Sequence, residues 1–304
     1  MTWKPLALRL HRWAALLFAL PLLAVTATGL VLAVEPLAKQ AAPPGTVTLA
    51  RLEAVLDAAG PEAARGALFI RAYESTAALG GRGQEPRVFD LETGRRLEQP
   101  GRLARLFQSS RRLHETLLLD LGWLVVASTL ALVLLAPLGL LLGWPRLRQS
   151  LRGWHQGVGW AGLPLLIGSP LTGLALAWGI TLAAPPPAPA AGPPLPLREV
   201  LRQLEQRHGL DGLDWVRPVG GGARLARITP PSGTALVYRV TPAGLEPLPA
   251  NWPRILHEGT WGGAWGAVVN IATALALLML GVSGVWLWLR RRRMRAALLR
   301  ARTV

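Results

Sequence analysis

The sequence of 304 residues contains no cysteine. That absence excludes disulfides, thiolate metal sites, iron–sulfur clusters and cysteine-attached haem. Charge is scarce too, at 16% of residues, and it avoids four windows altogether: Trp13 to Val34, Leu121 to Trp144, Val158 to Ala184 and Trp261 to Leu289. Each window is about 22 residues or longer, enough for a helix rising about 1.5 Å per residue to cross a hydrocarbon core of ~30 Å. An ordinary soluble enzyme is excluded. The pattern predicts four membrane spans and two polar insertions. There is no Rossmann-type glycine motif, so a nicotinamide or flavin site within this chain is not expected.

Acidic residues are absent where basic ones gather. A net charge of +16 suggests nucleic acid at first sight, but its distribution argues otherwise. Thirteen Lys and Arg lie beside span ends with no acidic residue among them: Lys4, Arg9 and Arg12, then Arg146, Arg148 and Arg152, then Arg290 to Arg293, Arg295, Arg300 and Arg302. The insertions are closer to balance, with 12 basic against 11 acidic residues in the first and 8 against 6 in the second. The positive-inside rule then places both termini in the cytoplasm and both insertions outside, with membrane lipid rather than nucleic acid as the partner. Arg102, Arg105, Arg111 and Arg112 fall on the outer side, which long translocated segments tolerate. The first apolar run is longer than the ~7–15 residues of a signal-peptide core, so it reads as an uncleaved span.

The chain repeats itself. Leu10-His11-Arg12-Trp13 is followed by Leu-Pro-Leu-Leu and Thr28-Gly29-Leu30, while Trp154-His155 is followed by Leu-Pro-Leu-Leu and Thr172-Gly173-Leu174. The interval from histidine to threonine is 17 positions in both. Arg112-Leu113-His114-Glu115 likewise matches Ile255-Leu256-His257-Glu258, and a Gly-Trp or Trp-Gly pair follows each. The insertions repeat as well. Leu49 to Ala59 and Leu197 to His208 have helical spacing. Strands are expected at Ala67 to Tyr73, Arg87 to Leu91 and Arg95 to Leu97, and at Leu213 to Val219, Arg224 to Thr229 and Ala235 to Val240. Ala183 to Pro194 reads as a stiff Pro- and Ala-rich linker.

The expected architecture is an α-helical membrane protein with four transmembrane helices arranged as a parallel two-fold repeat, helix–small α/β domain–helix used twice. Its segments are a first transmembrane helix (1–35), a first outer domain (36–110), a second helix (111–145), a cytoplasmic loop (146–153), a third helix (154–184), a linker with the second outer domain (185–253), a fourth helix (254–290) and a basic cytoplasmic tail (291–304).

Four of the five histidines begin the four spans in register. His11 and His155 fall at the cytoplasmic edge, His114 and His257 at the outer edge, and each pair is related by the repeat. One histidine at a membrane boundary is ordinarily an interfacial residue. Four in register are candidates for function. Two facing imidazoles supply the two axial nitrogens of a six-coordinate haem iron, whereas zinc takes about four ligands in a closed site. Glu115 and Glu258 could add carboxylates to the outer pair, but the cytoplasmic pair has no acidic neighbour. Gly29, Gly159, Gly162 and Gly173 on one side, and Gly259, Gly262, Gly263 and Gly266 on the other, leave room for a macrocycle; small-residue helix packing accounts for them equally well. Arg12 and Arg152 near the cytoplasmic pair, and Arg111, Arg112 and Arg254 near the outer pair, suit anionic propionates or lipid headgroups. The 13 tryptophans sit mostly at span ends, as an interfacial belt requires, and His208 reads as a surface residue.

At these motifs the sequence resembles the PepSY-associated transmembrane family, which includes iron-regulated membrane proteins and ferric-siderophore reductases of bacterial inner membranes. The resemblance covers nearly the whole chain, and the two outer domains look like PepSY domains on the periplasmic side. It implies a multi-pass inner-membrane oxidoreductase carrying two haem b groups, ligated by His11 with His155 and by His114 with His257; Arg12, Arg112 and Arg152, by their position beside these pairs, are expected as further cofactor-binding residues. Electrons from a cytoplasmic or membrane-pool donor would cross to a periplasmic acceptor, typically a ferric siderophore, and release Fe(II). Two rivals stand beside this reading. One is a membrane-anchored PepSY protein that binds or regulates a partner without redox activity. The other is a transporter, which the apolar span centres disfavour, with only Pro137, Pro164 and Pro170 as possible breaks.

Overall fold

The computed structural model describes residues 3–80, 85–145, 148–184, 195–219, 222–230 and 233–301; most of the expected linker lies outside them. In chain order the elements are α1 (Trp3–Leu17), α2 (Ala19–Gln40), α3 (Leu49–Ala59), β1 (Ala67–Arg71), β2 (Thr76–Gly80), β3 (Arg87–Asp90), β4 (Arg96–Leu97), α4 (Arg102–Thr116), α5 (Gly122–Leu141), α6 (Leu151–Ala161), α7 (Leu163–Ala177), α8 (Leu197–His208), β5 (Leu213–Pro218), β6 (Arg224–Ile228), β7 (Leu236–Thr241), β8 (Gly244–Pro247), α9 (Trp252–Glu258) and α10 (Ala264–Arg300). They form two compact units, residues 1–33, 109–180 and 268–304 in one and 34–108 with 181–267 in the other.

In the first unit α2, α5 and α10 are each long and apolar enough to cross a membrane, and the bent pair α6–α7 makes a fourth span if counted as one. The bend is 65°. It falls at Gly162, just before Pro164, whose ring removes a backbone donor and clashes with the preceding turn. The equivalent Leu-Pro-Leu-Leu in the first repeat has the same effect on a smaller scale: helix α1 stops at Leu17 and α2 starts at Ala19, and Pro21 cannot donate to the Leu17 carbonyl. Pro137 and Pro170, by contrast, lie inside uninterrupted helices. The two breaks set α1 and α6 apart as short helices, and these carry His11 and His155. Helix α5 packs against both α1 and α7.

The second unit departs from the expected pair of separate domains at 36–110 and 185–253. All eight strands belong to one antiparallel sheet in the order β4-β3-β2-β1-β5-β6-β7-β8. Strands β1 and β5 join the halves, with Leu68 opposite Val216 and Phe69 opposite Trp215. The physical reason is the edge. Each half alone would leave a central strand with unpaired N–H and C=O groups, and pairing the two edges satisfies both. It also merges the cores. Leu52, Val55 and Leu56 of α3 and Val200, Leu201 and Leu204 of α8 bury with Leu68, Ile70, Leu79, Phe89, Val216 and Val240 in one cluster. Each such side chain contributes about 1.5–3 kcal/mol. The Thr48 hydroxyl caps α3 by accepting from Arg51 N–H. Asp90 closes the β3–β4 hairpin by accepting from the Glu92 and Thr93 amides, 3.0 and 2.7 Å away.

Arg224, 2% exposed at the start of β6, fastens the halves together. Its guanidinium donates to the carbonyls of Leu195 (2.8 Å), Gly66 (2.7 Å), Ala64 (2.9 Å) and Arg65 (3.2 Å). Arg224→Leu leaves these carbonyls without their donor and is expected to destabilise the sheet unit by about 3 kcal/mol. Denaturant unfolding of the purified protein, followed through its β-sheet circular dichroism, measures the change.

Candidate functional site

Each short helix before a break holds one histidine, and the two meet in one space. His11 of α1 and His155 of α6 both line a cavity of about 840 Å³ within the first unit. Leucines of α1, α2, α5 and α10 and Trp160 form its apolar walls. Among the described residues its charged lining is entirely basic, Lys4, Arg12, Arg152, Arg291, Arg292 and Arg295, with no Asp or Glu. Arg12 Nε is buried and makes no hydrogen bond with the described residues. A buried donor without a partner is costly, and a cavity ringed by six cations without a counter-charge is matched by an anionic occupant.

The orientation of the rings follows from what holds their other nitrogen. His11 Nδ1 lies 3.2 Å from the carbonyl oxygen of Leu135 on α5. A carbonyl only accepts, so Nδ1 carries the proton and Nε2 keeps the lone pair. His155 Nδ1 lies 2.7 Å from the Ser283 hydroxyl on α10. His114, near the end of α4, has Nδ1 2.9 Å from the Val25 carbonyl and 3.3 Å from the Thr28 hydroxyl of α2. A glycine lies against every one of these rings. A Cβ placed on Gly139, Gly284 or Gly29 would stand 3.6, 3.5 or 3.2 Å from the Cε1 of His11, His155 or His114. A metal-binding imidazole is oriented in the same way, by a hydrogen bond to its remote nitrogen.

The expected site residues divide as follows. His11, His155, Arg12 and Arg152 share the cavity. His114 belongs to the first unit and His257, on α9, to the second. Arg112 is exposed on α4. Of the expected glycines, Gly29 touches His114 and Gly159 lines the cavity, while Gly162 marks the α6–α7 break. Gly259, Gly262 and Gly263 serve the backbone instead: at φ of 68°, 59° and 63° they turn the chain from α9 into α10. Sequence reasoning did not find Leu135, Gly139, Ser283 or Gly284. His208 is exposed, its ring 4.8 Å from that of Tyr238.

Glu258, the neighbour of His257, is not available as a metal ligand. It accepts from Arg227 (2.7 Å) and from Arg254 (2.8 Å). Arg227 also reaches Asp214 (3.4 Å), which pairs with Lys39 (2.8 Å) and accepts from the Thr229 hydroxyl (2.6 Å). Among the described residues no group of three or more His, Asp or Glu is placed to hold a metal ion. Burial alone would raise the Asp214 and Glu258 carboxyls, but the cations facing them outweigh it and hold both below the ordinary carboxylate range. A carboxyl depressed in the folded state stabilises the fold above its unfolded pKa of about 4 and loses that contribution as pH falls through the folded value. The sheet unit should therefore lose stability on acidification below about pH 4. Glu258→Gln is expected to be less stable at neutral pH and to show a shallower acid transition, measured by circular dichroism across a pH series.

Fold and site together define a multi-pass membrane protein whose apolar helices enclose a histidine-bearing cationic cavity and whose inserted segments share one α/β sheet. The chain belongs to the PepSY-associated TM region family, which it matches over residues 8–291. A comparison with curated proteins finds no match.

Proposed function

We propose that this protein is an inner-membrane electron conduit of the ferric-reductase type, in which His11 and His155 hold one haem b and His114 and His257 a second. The observation that carries the reading is the cavity that His11 and His155 share, with their Nδ1 atoms bound elsewhere, glycines against their rings and only cations among its charged walls. These residues fit the group. The Nε2 atoms of His11 and His155 would hold its iron, and Arg12 and Arg152 with Lys4 and the arginines of α10 would pair with its two propionates. Haem held by two imidazoles supplies a one-electron carrier whose iron alternates between ferric and ferrous.

The remaining work falls to the chain. Leu135 and Ser283 keep the imidazoles in one tautomer. The leucine walls exclude water, which strengthens every electrostatic contact inside. For the second pair, support comes from the repeat and from the seat of His114 on Val25, Thr28 and Gly29. Both termini are assigned to the cytoplasm and the sheet unit to the periplasm by the basic span flanks. The donor is a separate cytoplasmic or membrane-pool component. The acceptor is a ferric siderophore, in which one electron converts Fe(III) to the more weakly held Fe(II).

Reconstitution into vesicles tests this. With a reductant sealed inside and a ferric chelate outside, Fe(II) should form outside only when the protein is present. His11→Ala and His155→Ala should each lower the rate to that of empty vesicles. Equal rates with and without protein would contradict the conduit and favour a membrane-anchored binding protein.

A further inference from the structure

The two histidines of the cavity are held by different chemistry. His11 Nδ1 faces a main-chain carbonyl, which no substitution at Leu135 removes. His155 Nδ1 faces a side chain, the hydroxyl of Ser283, at 2.7 Å. That is the shortest of the Nδ1 contacts made by His11, His114 and His155. Ser283 also lies 3.2 Å from the Leu280 carbonyl in the preceding turn of α10. In the arrangement where the serine proton goes to that carbonyl, which only accepts, the serine oxygen accepts from His155 Nδ1–H. A directed chain results: His155 Nδ1–H to Ser283 Oγ, and Ser283 O–H to Leu280 O. Its members fix one another's protons and leave the His155 Nε2 lone pair uncommitted.

Two further facts make this contact more than local packing. Ser283 is 3% exposed, so water is poorly placed to replace it. Its neighbour Gly284 lies against the same ring, close enough that an added Cβ would stand 3.5 Å from His155 Cε1. Serine and glycine together form a seat that accepts the imidazole edge-on and bonds its far nitrogen. The bland alternative is a serine that merely bonds back to its own helix, as serines in apolar helices commonly do. On that reading Ser283→Ala would be silent at His155.

We propose that Ser283 is a positioning residue for His155: it sets the tautomer and aim of the ring and strengthens Nε2 as a donor to the occupant of the cavity. The inference rests on the haem reading given above and deepens it. An acceptor on the remote N–H makes an imidazole more basic, and loss of such a partner typically lowers metal affinity about 10–100-fold. Removing Ser283 should therefore weaken one axial ligand while His11 keeps its own support. A more weakly donating imidazole favours the ferrous state, so the potential of the His11/His155 centre should rise. The centre assigned to His114 and His257 should not move.

The test uses the full-length protein in detergent as wild type, Ser283→Ala and Ser283→Thr. Haem stoichiometry, redox titration and low-temperature electron paramagnetic resonance are read for each centre. The expected result for Ser283→Ala is haem affinity at one centre roughly 10–100-fold lower, a raised potential and altered low-spin signals there, with the other centre unchanged. Ser283→Thr, which keeps the hydroxyl, should restore the wild-type values. Unchanged potential and signals in Ser283→Ala overturn the proposal. A wild-type protein that binds no haem contradicts the functional reading instead, and Ser283 is then judged on the apoprotein by ¹⁵N resonances of labelled histidine. A single Nδ1–H tautomer at His155 that becomes mixed in Ser283→Ala supports the positioning role; an unchanged tautomer overturns it.

Discussion

A neutral imidazole has two nitrogens and one proton, and in apolar surroundings the proton must find an acceptor. In the membrane unit that acceptor comes each time from another helix: α5 for His11, α10 for His155 and α2 for His114. The bond has two consequences. It ties the helices together where leucine packing alone gives little direction, since lipid is as apolar as the helix faces. It also determines which nitrogen is left over. Gly29 is the steric counterpart at His114, where an added Cβ would stand 3.2 Å from the ring, while at Gly139 and Gly284 it would reach ordinary contact with His11 and His155.

The cavity that His11 and His155 share has an unbalanced charge. Among the described residues six cations line it and no carboxylate does. The sheet unit manages charge differently. There Lys39, Arg227 and Arg254 interleave with Asp214 and Glu258, so these charges have opposite partners. One protein thus contains a self-neutralised network and a cavity whose neutrality calls for an occupant. Buried ion pairs rarely stabilise on balance, but breaking one leaves an uncompensated charge, which is why Arg227, shared by two acids, is a sensitive position.

Much of this organisation is legible in the residues. Helices α3 and α8 have the bounds that their apolar spacing and flanking residues indicate, Thr48 and Gly60 for one and Gly209 for the other. The break before α7 is written in Leu163-Pro164, and the four histidines are found by their register. Other features carry no local signal. Strand β2, Thr-Ala-Ala-Leu-Gly, has little β-propensity and is a strand because β1 and β3 flank it. The β1–β5 pair joins segments more than 140 residues apart, so two apparent domains become one sheet. Main-chain acceptors such as Leu135 and Val25 leave no trace in side-chain identity. Ser283 was hidden as a lone serine in an apolar run, where back-bonding to the helix is the usual role.

The central claim is the proposal that the four histidines at the span starts, His11, His155, His114 and His257, ligate haem. Absorption spectra of the detergent-purified protein, oxidised and then dithionite-reduced, with a pyridine haemochrome assay, test it most directly. The account predicts low-spin b-type bands and two haems per chain, falling to one in His155→Ala. A colourless protein from haem-sufficient cells would contradict it.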